Sequence, residues 1–424
     1  MRWMKRWMYT PVVLVSLLAL TACGGEESAG GGSGDVTLRM LVWGNGPAEL
    51  KGEREILDVF EEKNPGIKVE LSHVPWDNFN ERLTTMSAGR NQPDVFWMID
   101  AAAMTSYASQ GMLMELDGFI EESGIKEDEY LPGAWDIGAW EGVQYALPRD
   151  LTSHHIVFNK DMFDEAGHPY PEAGWTWDDF LEAAKATTIE EDGKIVQFGI
   201  AGLIWEEMIV QNGGASFNID GSKVEIDSPE TIEAIEFMHD LVDVHRVAPL
   251  ATESEGLGDL FLANRAAMAF AGPWHWRQYE EDGEFEWDIV EVPAGKAGNK
   301  SQLLGLPIGI GSQTDHPEEA WKLLEFLTHG EGQSIQANIV GANPSVTRET
   351  HTFAEGQWVP ENVEAFQTIM EENTVVQSMF PDKPAAASNI QPVIDQIMDE
   401  NRDVDVADAL GELADSLRAE FDMD

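Results

Sequence analysis

Tryptophan is the residue type that points most clearly to chemistry in this chain, which contains 15 of them. Several stand beside turn residues and polar groups: Trp43 precedes Gly44, Trp205 precedes Glu206, and Trp274 follows Gly272-Pro273. A flat indole face packs well against the apolar face of a pyranose ring, and carboxylates or amides can then bond the ring hydroxyls. These settings favour a site for a hydroxyl-rich, uncharged ligand.

The chain has none of the common catalytic or metal-binding patterns: no HExxH, GxSxG, CxxC or P-loop motif. The glycines of 304–311 do not fit a dinucleotide-binding loop, because Pro307 interrupts them. His154 and His155 are adjacent and cannot point the same way on a strand. We therefore expect no cofactor, no metal and no catalytic residue.

The alternative to a protein that only binds its ligand is a glycoside hydrolase, because the chain contains many acidic residues together with its tryptophans. Such enzymes need two carboxylates about 5 or 6.5–9.5 Å apart, and a sequence does not give that separation. With 77 acidic residues, candidate pairs can be found anywhere in the chain. Release of reducing sugar would favour this alternative.

The elements that would carry these residues follow an α/β pattern. Val36–Trp43 is predicted to be a buried strand, Glu49–Lys63 a helix and Ile67–Val74 a second strand. This spacing predicts a β-α-β unit and hence a parallel sheet. A further helix is expected around Phe79–Met86, followed by a strand at Val95–Ile99.

Later helices are predicted from their first residues. Thr176 to Asp179 resembles a capping box, Ser228-Pro229 opens a long helix, and Pro317 opens a third that carries Trp321 on its apolar stripe. The fold class that we expect is α/β, with helices on both faces of parallel or mixed sheets.

The chain begins like an exported protein. Arg2, Lys5 and Arg6 precede a short apolar run at 11–20, and small residues lead to Cys23. This layout is typical of a secretory signal, and the run is shorter than the roughly 20 residues needed to span a bilayer. Leu20-Thr21-Ala22-Cys23 also resembles the lipobox of bacterial lipoproteins, in which the cysteine is lipidated after cleavage. The alternative for this single cysteine is an unpaired thiol.

Residues 24–34 are rich in glycine and serine and are predicted to form a flexible tether. The folded body would then lie outside the cytoplasm, lipid-anchored to the cell membrane. Disulfide bonds cannot stabilise it, because Cys23 is the only cysteine.

Length and charge limit the possible partners. The 424 residues predict two domains. The net charge of −51 excludes nucleic acid as a partner and disfavours anionic lipid surfaces. The acidic residues are spread along the chain, which suggests a saline or alkaline habitat in which salt screens their repulsion.

From Val36 to about Asn343 the order of segments resembles the sugar-type extracellular solute-binding proteins of ABC importers, the maltodextrin-binding group. Four stretches carry the resemblance: 146–163 with its Asn159-Lys160-Asp161 segment, 174–180, Ala266–Trp274, and 304–320. The lysine-rich maltodextrin patterns are missing, and the last 80 residues or so match only loosely. The chain is therefore identified as a suspected member of this group, with its sugar undefined.

The resemblance implies a two-lobed periplasmic-binding-protein fold, each lobe a mainly parallel sheet flanked by helices, with the ligand cleft between the lobes. On this basis residues 1–22 are a lipoprotein signal peptide and 23–35 a tether. The N-terminal lobe comprises 36–147 with about 306–335, and the C-terminal lobe 148–303 with about 336–424.

The resemblance also implies which residues contact the ligand. Trp274 aligns with a tryptophan that stacks on sugar in maltodextrin binders. The remaining candidates fall where the family often places contacts, or close to such positions: Trp43, Asp100, Trp205, Asn212, Tyr145, Asp150 and Trp276.

The expected function is binding without chemistry. A sugar or oligosaccharide bridges the lobes, closure follows from its preference for the closed state, and the closed monomer docks on the transmembrane subunits of an ABC permease. Alternatives are the same fold with glycerophosphate, a polyamine or iron as its ligand, and a surface adhesin without transport. Phosphate binding would need arginines, of which Arg39, Arg149 and Arg277 are the candidates.

Overall fold

The computed structural model of the protein describes residues 35–44, 47–131, 133–219, 221–254, 256–353, 360–376, 378, 383–399 and 404–423. Residues 35–424 form one unit. The predicted signal peptide, Cys23 and the tether to residue 34 lie outside the described residues. No described helix has the length and apolar character needed to cross a membrane.

The strands of the described chain are numbered in chain order. They are β1 (Val36–Trp43), β2 (Ile67–Val74), β3 (Val95–Trp97), β4 (Ala139–Trp140), β5 (Val143–Gln144), β6 (Ala146–Thr152), β7 (His155–Asn159), β8 (Ile189–Glu191), β9 (Lys194–Ala201), β10 (Ala266–Ala271), β11 (Trp287–Val290), β12 (Ser301–Ile310) and β13 (Thr374–Val376).

The α-helices are numbered in the same way. They are α1 (Pro47–Lys63), α2 (Phe79–Ala88), α3 (Ala101–Ser109), α4 (Asp117–Ser123), α5 (Lys160–Ala166), α6 (Trp177–Thr187), α7 (Trp205–Asn212), α8 (Pro229–Val242), α9 (Ala251–Ser254), α10 (Trp276–Asp282), α11 (Pro317–Thr328), α12 (Gly332–Val340), α13 (Val363–Thr368), α14 (Lys383–Ile397) and α15 (Val406–Phe421).

The first sheet is built around parallel strands. β1 lies between β2 and β3, with Val36 opposite Ile67 and Trp43 opposite Val74. This confirms the predicted β-α-β unit. β12 runs antiparallel to both β3 and β6, and β13 pairs parallel with the first residues of β12. Because parallel strands end at one edge of a sheet, the residues after β1, β2 and β3 lie along a common edge.

The second sheet has the strand order β11-β7-β10-β9-β8. Only β10 and β9 are parallel, and the other neighbours are antiparallel. The expectation of a mainly parallel sheet is therefore wrong for this half. β7 pairs antiparallel with both β10 and β11, and only Ser153 and His154 separate it from β6 of the first sheet.

Each sheet has its own apolar core. Residues of β1, β3 and β12 pack with α1 and α11 in the first core, which contains the predicted core residue Trp321 at 6% exposure. Residues of β7, β9 and β10 pack with α6 and α8 in the second core, which also takes in α14 and α15. The α/β fold class is confirmed.

The chain passes between the two sheets in three segments. The first is Ser153-His154, and the second, residues 291–300, leads into β12. The Ser153 Oγ donates to the Ser301 Oγ at 2.7 Å, which joins the first segment to the start of β12. The third segment contains Asn343, whose Nδ2 donates to the Leu151 carbonyl at 3.0 Å.

The predicted helix starts are confirmed by their caps. The Thr176 hydroxyl accepts from the Asp179 N–H, and the Asp179 carboxylate accepts from the Thr176 N–H, so that α6 begins with a capping box. Ser228 caps α8 with Pro229 as its first residue, and Pro317 occupies the same position in α11.

Candidate functional site

Three tryptophans pack in a row at the edge where the parallel strands end. Trp43 lies between Trp76 and Trp97, with ring centroids 4.8 and 4.9 Å away and steeply inclined rings. Such edge-to-face contacts are favourable for aromatic rings. Trp97 is 1% exposed, Trp43 8% and Trp76 41%. The row leads from the core to solvent, and Trp76 presents the indole at the surface.

Asp100 follows β3 at the same edge and starts α3. Its Oδ1 accepts a hydrogen bond of 2.8 Å from the Ala103 N–H, which caps the helix. The side chain is half-buried. The cap therefore fixes the orientation of this carboxylate at the strand end.

Asp150 lies in the interior within a group of buried charges. Its Oδ2 is 3.2 Å from Nη1 of Arg149, and Nη2 of Arg149 donates to Glu53 Oε1 at 2.5 Å. The guanidinium carbon of Arg149 is 4.7 Å from the Trp97 ring centroid. Burial raises the pKa of Asp150 to about 6, against the opposing effect of Arg149. Asp150 is thus connected to Trp97 of the tryptophan row through the Arg149 guanidinium.

Trp274 is the most exposed of the predicted aromatic contacts, at 39%. It follows β10, and its six-membered ring lies against the backbone of Gly272. A Cβ at Gly272 would be 2.1 Å from Cη2 of the indole. The backbone at Gly272 is extended, with φ −126° and ψ 171°, so glycine is needed here for space and not for conformation.

His154 packs beside Trp274, with ring centroids 5.4 Å apart and an interplanar angle of 81°. Its Nδ1 is 2.8 Å from Oε1 of Glu207, a residue of α7 that is fully buried. The other carboxylate oxygen accepts from the Ser301 hydroxyl at 2.7 Å and from the Gln302 N–H at 3.2 Å. The Glu207 carboxylate therefore connects His154, which packs beside Trp274, to the start of β12.

Trp276 and His155 form a matching pair on the inner side. Trp276 is 1% exposed, and its Nε1 donates to Nε2 of His155 at 3.0 Å. Burial holds the pKa of His155 well below its usual value. Ala271 is opposite His155 in the sheet, and every residue of these two strands is buried. Trp276 is a packing residue in this structure.

Trp205 and Asn212 are both largely buried on α7. Trp205 is 8% exposed, with Nε1 3.3 Å from the Gln391 Oε1 that accepts its hydrogen bond. Asn212 is 3% exposed and donates to the Glu230 carbonyl at 2.7 Å and to the Glu233 carboxylate. Asn212 thus joins α7 to α8.

Tyr145 precedes β6 and is half-buried, with its ring centroid 6.1 Å from that of Trp140. Burial and the nearby carboxylate of Glu115 raise the pKa of its hydroxyl, which therefore stays protonated at neutral pH. The hydroxyl can donate or accept a hydrogen bond.

The structure thus assembles two groups. One is the row Trp43, Trp76 and Trp97, with Asp100 three residues after Trp97 in the chain and Asp150 connected to Trp97 through Arg149. The other is Trp274 with His154 and Glu207. Sequence reasoning missed Trp76 and His154. The available signals were the Pro75-Trp76 turn at the end of a strand and the adjacent pair His154-His155.

No cluster of three or more potential metal ligands occurs among the residues that the structure describes. Two surface depressions of about 380 and 500 Å³ contain none of the predicted site residues. The first is lined by Asp161, Met162, Asp164, Glu165, Gln197 and Asn264. The second is lined by residues between Lys126 and Asp136.

Residues 43–334 match the family described as bacterial extracellular solute-binding protein, and the chain belongs to this family. The suspected membership is therefore confirmed. The family is one of binding proteins and not of enzymes, which is the expected class, and it acts outside the cytoplasm.

Curated relatives are about equally distant. A putative binding protein of Brucella abortus is 26% identical over 338 residues, covering 76% of this chain and 77% of its own. An arabinooligosaccharide-binding protein of Halalkalibacterium halodurans is 26% identical over 294 residues, covering 66% and 64%. An uncharacterized lipoprotein of Streptomyces antibioticus is 26% identical over 340 residues, covering 75% and 72%.

Solved structures share the fold. An ABC substrate-binding protein of Listeria monocytogenes in complex with cycloalternan superimposes with a TM-score of 0.84 at 25% identity, covering 92% of this chain and 100% of its own. A maltose-bound protein of T. maritima gives a TM-score of 0.77 at 24% identity, covering 91% and 100%. The two-lobed fold of these binding proteins is thus the fold of this chain.

Proposed function

We propose that this protein is the substrate-binding component of an ABC importer and binds a sugar or oligosaccharide between two lobes. The observation that carries the proposal is the exposed Trp274 indole, which is supported by Gly272 and His154 at the end of β10. Similar proteins bind cycloalternan, maltose and arabinooligosaccharides according to their descriptions.

We base the two proposed lobes on the two sheets, each of which has its own core. The first would comprise 36–147 with about 306–335, and the second 148–303 with about 336–424. The three segments between the sheets would act as the hinge. Trp76, Trp43 and Asp100 would contact the ligand from the first lobe and Trp274 from the second. Tyr145 and Asp150 would lie on either side of the boundary between the two lobes.

An uncharged ligand is favoured over a phosphate ester because the candidate arginines already have partners. Arg149 bonds Glu53 and Asp150 in the interior. Arg39 donates to Asn91 and to the Gln92 carbonyl, and Arg277 is 3.2 Å from Glu281. Binding a phosphate would require breaking these pairs, whereas a sugar needs only stacking faces and neutral hydrogen-bonding groups.

The mature protein would begin at Cys23 and be held at the outer face of the cell membrane by a lipid on that cysteine. The lipobox-like sequence 20–23 supports this, as does the description of the Streptomyces antibioticus relative as a lipoprotein. We expect a monomer that presents its closed form to the permease.

The proposal is tested on the chain from residue 24 with a saccharide panel: maltose, maltotriose, cycloalternan, mannotriose, arabinotriose, cellobiose and xylobiose. A ligand that binds the folded state raises the melting temperature by mass action. We expect at least one saccharide to raise it and to give a micromolar-class dissociation constant by calorimetry, with no reducing sugar released. A panel without any shift would contradict the proposal, and release of reducing sugar would favour the hydrolase.

A further inference from the structure

His154 has one ring nitrogen fixed inside the protein and one that faces outward. Nδ1 is held by the buried carboxylate of Glu207 at 2.8 Å. Nε2 has no hydrogen-bond partner among the described residues and is not enclosed. The side chain is 15% exposed, and its ring lies beside the exposed indole of Trp274. The only polar atom that this side chain offers to solvent therefore lies next to the proposed stacking surface.

The surroundings of Glu207 determine which nitrogen of His154 carries the proton. The carboxylate only accepts hydrogen bonds, and it already accepts from the Ser301 hydroxyl and the Gln302 N–H. The nitrogen facing Glu207 must therefore be the protonated one. In the neutral imidazole, Nε2 is then an acceptor that points away from the carboxylate.

We propose that His154 contacts the ligand through Nε2, which accepts a hydrogen bond from a hydroxyl of a saccharide ring stacked on Trp274, and that Glu207 is the positioning residue for this imidazole. The proposal rests on the proposed function. A ring packed on an indole carries its hydroxyls around its rim, so a side chain standing beside the indole meets that rim.

The same carboxylate gives the contact a second consequence. Glu207 lies on α7, while Ser301 and Gln302 begin the strand that leads back into the first sheet. A ligand that bonds His154 thus contacts a group tied to the segments between the sheets. Glu207 positions the imidazole relative to those segments as well as relative to Trp274.

Two substitutions separate the two nitrogens. In His154→Asn, the side-chain amide nitrogen occupies the place of Nδ1 and can still donate to Glu207, but nothing replaces Nε2. In His154→Gln, the amide reaches the place of Nε2 and the donor to Glu207 is lost. His351→Asn, at an exposed histidine, is the matched control.

Calorimetric titration with the saccharide selected from the panel gives the result. We expect His154→Asn to weaken binding about 3- to 10-fold, the value of one hydrogen bond, with an unchanged melting temperature. His154→Gln should lower the melting temperature and keep more of the affinity. Wild-type affinity in His154→Asn would overturn the proposal, as would equal losses of affinity and melting temperature in both variants.

The role of Glu207 is tested by ¹⁵N NMR of the imidazole, assigned by comparison with His154→Asn. In the wild type we expect Nδ1 to carry the proton and the Nε2 signal to move when saccharide is added. In Glu207→Gln the tautomer should become mixed, and adding His154→Asn should then lower the affinity by less than it does in the wild type. A tautomer unchanged in Glu207→Gln would remove the positioning role.

Failure of the two proposals gives different results. If the wild type binds no saccharide of the panel, the proposed function fails and the role of His154 fails with it. If the wild type binds but its Nε2 signal does not move, only the role of His154 is overturned.

Discussion

A single glycine determines where the Trp274 indole can lie. The indole covers the Gly272 backbone so closely that a Cβ there would be 2.1 Å from its Cη2 atom. The extended backbone at Gly272 accepts any residue. An alanine at this position would thus displace the indole and leave the strand intact.

Gly272→Ala is therefore expected to weaken saccharide binding by about 2- to 10-fold, because the displaced indole loses its stacking orientation and an aromatic stacking contact contributes about 0.5–1.5 kcal/mol. Gly118→Ala is the matched control, because a Cβ at Gly118 meets nothing within 4 Å. Calorimetric titration of both variants gives the comparison. Equal affinities would show that the Trp274 orientation does not matter for binding.

His275 makes stability depend on pH. Burial lowers its pKa to about 4, while an unfolded histidine titrates near 6.5. As the pH falls from about 6.5 to 4, the unfolded state takes up a proton that the folded state does not bind. The contribution of this residue to stability is full above pH 6.5 and is lost as the pH falls through that window.

Replacing His275 by Phe removes this contribution and keeps an aromatic ring against Tyr279, on which His275 stacks at 5.5 Å. Between pH 7 and pH 4.5 the wild type should lose up to about 3 kcal/mol more unfolding free energy than His275→Phe. Urea denaturation at both pH values measures the difference. Parallel pH profiles would contradict the assigned pKa.

At the residue scale, the chemistry was easier to predict than the exposure. The chain pattern identifies Trp274 as a candidate, and its indole is exposed. It does not distinguish Trp274 from Trp276, which lies two residues further on and is fully buried. The difference arises because the chain turns into a helix after β10, and that turn directs one indole outward and the other against His155.

Among the elements, β6 is attached to the first half of the protein by an ion pair as well as by its backbone hydrogen bonds to β12. Arg149 on β6 pairs with Glu53 on α1 and with Gln336 on α12, and all three side chains are buried. A buried ion pair whose partner is removed leaves a charge without compensation. This group therefore joins β6 to α1 and α12.

Arg149→Met should lower the free energy of unfolding by about 3–5 kcal/mol. Lys51→Met, on the same helix as Glu53, is the control. Its ion pair with Glu55 is exposed, so the loss should be about 1 kcal/mol or less. Urea denaturation of both variants tests this, and similar losses would mean that the buried pair is not important for stability.

The elements themselves were largely predictable because their signals are local. The capping box at Thr176, the prolines that open α8 and α11 and the alternation in β2 each lie within a few residues. The direction of neighbouring strands in the second sheet was not predictable. It depends on the pairing of β7 with β10 and β11, whose residues are distant from β7 in the chain.

For the whole molecule, charge is the dominant feature. A net charge of −51 produces repulsion within the folded state that salt screens, with a Debye length of about 10 Å at 0.1 M and 3 Å at 1 M. We expect the melting temperature to rise steadily between 0.05 and 2 M sodium chloride. A melting temperature independent of salt would argue against adaptation to a saline medium.

The overall arrangement was predictable only in part from local patterns. The two lobes and their shared cleft came from the resemblance of ordered segments, because no short stretch encodes a contact between Ser153 and Ser301, which are distant in the chain. The same holds for Glu207, whose role becomes visible only when α7 meets the start of β12. Long-range contacts of this kind form the candidate site.

The central claim is that a saccharide stacks on the Trp274 indole. It is tested most directly by calorimetric titration of Trp274→Ala with the saccharide that the wild type binds. Tyr170→Ala, at a side chain with the same 39% exposure, is the control. Loss of a stacking face should weaken binding by at least tenfold in Trp274→Ala alone. Wild-type affinity in Trp274→Ala would contradict the claim.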